Sequence, residues 1–179
     1  MRTFTLIATM LVVLALSARA ASSDVASVPE LSGKMAQLSY LIGTWSCTTE
    51  IPATGKTKAQ TISAKSIYWI EPENVIGNYY RSKPYSSSSF FGWMDSKKLW
   101  WSSGADAYGA AFSGTGKDSG TNVQVMTGTN WYQGQAATSR DTMTKNSDTG
   151  YIDHFEILQA GKVTFQGTST CRKTSNKTM

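Results

Sequence analysis

From Gly43 onward the chain is a succession of short runs rich in Thr, Ser, Val, Ile, Tyr, Trp and Phe, each broken by a turn signal, and this spacing limits the fold more than any other feature. The runs cover about 43–51, 58–70, 75–82, 90–94, 98–103, 107–115, 122–128, 136–145, 150–158 and 162–172. Between them stand Pro52 to Gly55, Glu71 to Asn74, Lys83-Pro84 with Ser86 to Ser89, Asp95 to Lys97, Lys117 to Gly120, Asn146 to Gly150 and Ala160-Gly161. Gly supplies positive φ there, Pro a fixed φ, and Asn or Asp a local side-chain hydrogen bond. Short strands at such even spacing predict an all-β sandwich or barrel, and the lack of strand–helix alternation excludes a parallel sheet. Only residues 30–42 differ. Leu31, Met35, Leu38 and Leu41/Ile42 fall at helical spacing, and Gly43 ends the segment.

The cysteines decide between open and closed sheets. Cys47 lies in the first run and Cys171 in the last. Side chains alternate along a strand, so Cys47 shares a face with Trp45, and Cys171 with Val163 and Phe165. A bond between them sets the first strand beside the last and closes the sheet, which removes its exposed edges. A sandwich also brings such strands near each other, but closure favours a barrel. The expected fold is therefore all-β: a single closed antiparallel β-barrel of about 8–10 strands with a short N-terminal helix.

The start of the chain reads as an export signal. Arg2 is followed by an apolar run from Phe4 to Leu16 and by the small-x-small set Ala18-Arg19-Ala20. The run is shorter than the roughly 20 apolar residues a bilayer span needs, which predicts cleavage after Ala20 rather than a membrane anchor. Export to a secreted or periplasmic location also suits a disulfide. Losing residues 1–20 takes two arginines and lowers the net charge from +5 to +3. The remaining charges are scattered, which argues against nucleic acid, and no later segment is apolar enough to insert in a membrane. The expected organisation is a signal peptide at 1–20, a flexible lead-in at 21–30, one barrel domain at 31–173 and a polar tail at 174–179. The oligomeric state is not legible.

Leu41-Ile42-Gly43-Thr44-Trp45 resembles the Gly-x-Trp start of the lipocalin-like, or calycin, barrels. Together with Phe90-Phe91-Gly92-Trp93-Met94-Asp95 and Leu99-Trp100-Trp101, it resembles a secreted bacterial calycin-like family of unknown function over about residues 31–172. The resemblance implies that Gly43 permits a tight turn into the first strand, that Trp45 plugs one barrel end, and that Arg172 stacks on that Trp. Arg172 neighbours Cys171, so a regular strand would turn it to the opposite face. Avidin-like and haem-binding nitrobindin-like barrels share the Gly-x-Trp start. Here Ser46 to Glu50 departs from the biotin-binding pattern, and the glycine-rich continuation of the haem binders is missing. No cofactor is therefore expected.

Nothing in the sequence marks an enzyme: there is no Gly-x-Ser-x-Gly elbow and no His-Glu-x-x-His pair. The one histidine, His154, shares a face with Ile152, Glu156 and Leu158. If inward and beside a carboxylate, it would open hydrolytic or isomerase chemistry. Arg81, and Arg140-Asp141 with Lys145, sit in strands. An inward Arg would hold a ligand carboxylate, and an outward one is surface. The aromatic pairs Tyr68-Trp69, Tyr79-Tyr80, Trp100-Trp101 and Trp131-Tyr132 are the richest feature. Within a strand one ring of each pair faces in and the other out. The inward set would either line a cavity for a small apolar or amphipathic ligand or simply fill the barrel. The expected lining residues are Tyr79, Trp93, Trp100, Trp131 and His154. The alternative is a filled barrel acting on a partner in the cell envelope through its outer aromatics and loops.

Overall fold

The computed structural model describes residues 30–54 and 58–178. The segments read as a signal peptide and, except for Glu30, as a lead-in lie outside them. A 3₁₀ helix, Gly33–Leu41, precedes ten strands: β1 Gly43–Ile51, β2 Gln60–Glu71, β3 Val75–Arg81, β4 Ser86–Met94, β5 Leu99–Asp106, β6 Ala111–Asp118, β7 Val123–Tyr132, β8 Gln135–Ser147, β9 Gly150–Gln159 and β10 Lys162–Ser175. Each strand pairs antiparallel with its sequence neighbours, and β1 pairs with β10, so the sheet is a closed barrel. No helix among the described residues is long and apolar enough to cross a membrane.

Closure is locked covalently. Cys47 and Cys171 are directly opposed across β1 and β10 and form a disulfide, with their Cα atoms 4.1 Å apart. Both are buried with Trp45 and Tyr151, which identifies the inner face, and register carries that face round the barrel. Tyr151, Asp153, Phe155 and Ile157 face inward from β9, Ser139, Asp141, Met143 and Lys145 from β8, and Trp100 and Ser102 from β5. Tyr68, Ile76 and Tyr80 do so from β2 and β3.

The helix closes one end. Met35, Leu38 and Leu41 recur every third residue, which puts them on one side of a helix with three residues per turn, and all three are buried. They pack with Trp45, Tyr68, Trp100 and Tyr151 into the main apolar core. Gly43 makes the sharp passage from helix to barrel. Its φ is +128°, and a Cβ there would stand 2.3 Å from the Ser175 carbonyl oxygen at the end of β10.

One reading of the sequence is corrected. Ser86 to Ser89 are not a loop but the first half of β4, paired with Arg81 to Asn78. Serine is small enough for either face, and the inward Ser89 hydroxyl donates to Asn78 Oδ1 at 3.4 Å. The polar run is a strand because its partners face a polar interior.

Candidate functional site

The barrel interior has two zones. At the helix end it is apolar and closed. Trp45 is fully buried, its indole Nε1 donates to the Leu41 carbonyl at 2.6 Å, and its ring meets Tyr151 edge-on at 4.8 Å. The Tyr68 and Tyr151 hydroxyls are hydrogen-bonded at 2.9 Å. Burial pushes the Tyr68 phenol up to about 12 and that of Tyr151 well above the ordinary range, so both stay neutral. Trp93 and Trp100 face inward here with centroids 4.9 Å apart. The Lys34 ammonium lies 5.4 Å and 5.5 Å from their ring centroids and ion-pairs with Asp118. Burial tends to raise the Asp118 carboxyl, but hydrogen bonds from Lys34 and the Trp100 indole outweigh it and hold it below its ordinary range.

Beyond this floor the inner wall turns polar. Thr49 Oγ1 bridges Ser169 Oγ at 2.8 Å and the Tyr80 hydroxyl at 3.0 Å. Asn78 donates to Ser66 Oγ at 2.7 Å. A row running through Ser102, Gly114, Gly128 and Ser139 brings almost no side-chain volume inward. Ser102, Met126, Asp141 and Asp153 all face this region and are only half-buried.

Asp141 and Asp153 are diagonal neighbours on β8 and β9: Asp141 pairs with Phe155, and Met143 with Asp153. Neither carboxyl has a hydrogen bond or ion pair to another described side chain. Among the described residues no fully buried side-chain oxygen or nitrogen lacks a partner, so these carboxyl oxygens are not completely enclosed. Burial pushes Asp153 up to about 8, and the nearby Asp141 adds to the effect. Burial likewise lifts Asp141 to about 6, with His154 pulling slightly the other way. Among the described residues no group of three or more His, Cys, Asp or Glu side chains comes together as a metal site would require.

Several expected site residues lie elsewhere. Tyr79 pairs with Ser88 and Ile67 on the outer wall, and its neighbour Tyr80 is the inward ring. Trp131 is also outward, 44% exposed near the end of β7. His154 faces out between Thr142 and Thr168 and bonds Thr168 Oγ1 through Nδ1 at 3.0 Å, so it does not touch the interior. Its outer neighbours are Glu156 and Arg140, which ion-pair with each other. Arg172 pairs with Ser46 and is exposed. The ladder runs regularly from Cys47 opposite Cys171 to Trp45 opposite Lys173, so strand alternation itself puts Lys173 in the place expected of Arg172. Its ammonium lies 5.2 Å from the Trp45 ring centroid and donates to the Ile42 carbonyl at 3.0 Å. Burial lowers the basicity of that ammonium. Trp93 and Trp100 do face inward, as part of the floor.

Asp141 and Asp153 escaped the sequence reading. In Tyr151 to Leu158 both alternating faces carry apolar residues, so periodicity cannot say which one is inner. The register of Cys171 against Tyr151 settles it.

At the rim opposite the helix, residues 60–64 of β2 run past their last pairing with β3. There a depression of about 590 Å³ is lined by the inward Ile62 and Ala64 and by Lys65, Arg81 and Lys83. A second depression, of about 490 Å³, lies against Leu99, Thr115 and Lys117 and contains none of the residues above.

No family model and no curated protein matches the sequence. Among solved structures the chain is similar to the crystal structure of Rv2717c from M. tuberculosis. The TM-score is 0.59 at 8% identity, over 80% of this chain and 99% of that one, a likeness that shows the fold alone. It is also matched, at 14% identity over 79% of this chain and 99% of the other, to the structure of EF1p2_mFAP2b bound to DFHBI. At a TM-score of 0.38 that likeness carries no argument.

Proposed function

We propose that this is an exported barrel that binds one small amphipathic molecule in its interior, above the aromatic floor. The observation that carries the reading is the contrast between the two zones. A packed aromatic end would support the apolar part of a ligand, and the half-buried polar wall would meet its polar part. Small-molecule sites combine these features, and barrels of this size hold single ligands. The disulfide suits an oxidising compartment. The test is a titration of tryptophan fluorescence with 1-octanol, on the wild type and on Ser102→Phe, which fills the row of small side chains. Saturable one-to-one binding lost in the variant is expected. A flat wild-type titration, or a variant that binds equally well, refutes the reading.

A second reading, an envelope protein that docks a partner on its outer surface, is favoured by Trp131 and Val163. These two large apolar side chains are exposed on the outer wall near the β7–β8 and β9–β10 turns, with Tyr132 and Phe165 exposed beside them at the open rim. A co-purifying protein lost on Trp131→Ala would support it, and a surface indifferent to that change would not.

A further inference from the structure

The depression at the rim opposite the helix lies along an open sheet edge. Gln60 to Ala64 pair with Ile51 to Cys47 of β1, but β2 meets β3 only from Lys65, opposite Arg81, onward. At Arg81 β3 ends and the chain turns into β4, with the Ser82 N–H donating to the Tyr85 carbonyl at 2.8 Å. A strand presents backbone donors and acceptors on both of its sides, so these five residues of β2 are matched on one side only. Among the described residues no turn or loop backbone group bonds to them, and all five are half-exposed or exposed. The depression of about 590 Å³ occupies the place that β3 leaves: Thr61 to Lys65 line one side of it and Arg81 to Lys83 the other.

This edge is also unguarded. Strand edges are normally blunted by Lys, Pro or a bulge, which keep other chains from pairing with them. Gln60-Thr61-Ile62-Ser63-Ala64 carries no Lys or Pro, and its ladder with β1 is regular. The same rim supplies the contrast. Lys162 to Gly167 of β10 run past their last pairing with β1, and they carry a lysine and a register shift between Val163 and Phe165. The β2 edge instead keeps strict alternation, with Ile62 and Ala64 inward and Thr61 and Ser63 outward.

Charge selects the kind of partner. Lys65 and Arg81 oppose each other on the outer face, and Lys83 follows on the same side of the depression. None of the three makes an ion pair with a described side chain. Glu50, which the ladder sets beside Thr61, stands on β1, across β2 from the depression. A second copy of the same edge brings no acid to these cations, since Gln60 to Ala64 are uncharged.

We propose that this edge binds an extended acidic peptide, a segment of a partner protein that adds to β2 as a strand in the place β3 leaves. Its main chain pairs with the free backbone groups of Gln60 to Ala64. Its side chains alternate, apolar ones against Ile62 and Ala64 and acidic ones toward Lys65, Arg81 and Lys83. In strand addition the main-chain bonds give the affinity, and side-chain alternation and charge give the choice of partner. The proposal is independent of the interior-ligand reading, because it uses neither the aromatic floor nor the polar wall above it.

The test is fluorescence anisotropy of the disulfide-bonded protein with a fluorescein-labelled peptide of four Glu-Val repeats, and with one of four Lys-Val repeats as control. Saturable one-to-one binding of the acidic peptide alone is expected, weakened about tenfold in Lys65→Gln/Arg81→Gln/Lys83→Gln. All three side chains are exposed, and a urea midpoint equal to that of the wild type checks that the variant is folded. At saturation, hydrogen exchange should slow at the fast-exchanging amides of Gln60 to Ala64 and stay unchanged over Lys162 to Gly167. The proposal is overturned if the acidic peptide does not bind, if the Lys-Val peptide binds as well, if the triple variant binds equally, or if the amides of Gln60 to Ala64 gain no protection. Binding of phosphatidylglycerol vesicles through the three cations, with those amides unprotected by the peptide, also overturns it and assigns the cations to an anionic lipid surface.

Discussion

Replacing Asp153 by Asn should make the protein more stable at alkaline pH and leave it nearly unchanged at acid pH. In the folded protein the Asp153 carboxyl is pushed from 3.8 up to about 8 by burial, with Asp141 adding to it. The folded state therefore keeps a proton that the unfolded chain releases near pH 4. Stability is fully present below that pH, is lost as the pH rises from 4 toward 8, and levels off above. A shift of about four pH units, at about 1.4 kcal/mol each, sets a ceiling of about 6 kcal/mol on the loss. The carboxyl is only half-buried, and screening lowers the loss below that ceiling. A loss of at least about 2 kcal/mol between pH 4.5 and 8.5 is expected. Asn has the shape of the protonated acid but cannot ionise, so Asp153→Asn lacks that loss. Urea unfolding followed by tryptophan fluorescence, on both proteins at pH 4.5, 6.5 and 8.5, measures the difference directly. Asp95 and Asp148, held low by hydrogen bonds from Lys98 and Lys145, act in the opposite sense but only below about pH 4, outside this window. If the two proteins keep a constant stability difference across the range, Asp153 ionises alike in folded and unfolded states, and the account of an enclosed, uncompensated carboxyl is wrong.

Three further outcomes follow from the same structure. Cys47→Ala/Cys171→Ala opens a loop of 124 positions and should cost up to about 5 kcal/mol, read as a lower urea midpoint matched by reducing the wild type. Gly43→Ala forces a Cβ toward the Ser175 carbonyl oxygen at φ +128°, and should cost about 2 kcal/mol or more in thermal unfolding. Lys173→Met should lose about 1 kcal/mol and change Trp45 emission, whereas Arg172→Met should do neither; the reverse result would restore Arg172 as the partner of Trp45.

The alternation of apolar and polar residues and the turn residues between runs located all ten strands within a few positions, because both features act within a few residues of sequence. The parity of Cys47 and Cys171 was enough to expect closure, since only one face of each strand is able to reach the other. Parity alone could not choose between Tyr79 and Tyr80. Each ring suits a half-buried wall, and the choice belongs to the pairing of Ser66 with Tyr80. The polarity of Ser86 to Ser89 looked like a loop because a strand facing other hydroxyls and amides carries no hydrophobic signature. Trp131 shows the same limit from the other side: an aromatic near a strand's end is read as core unless its partner's face is known.

The sequence by itself determined an all-β chain of about 8–10 strands and led to the expectation of a disulfide between first and last, because strand period, turn chemistry and cysteine parity are local properties of the chain. Only the tertiary structure decided that Lys173, not Arg172, covers Trp45, and that His154 looks outward while Asp141 and Asp153 look in. Those outcomes depend on register and on which face the closed sheet encloses. Both are set by partners far away in sequence.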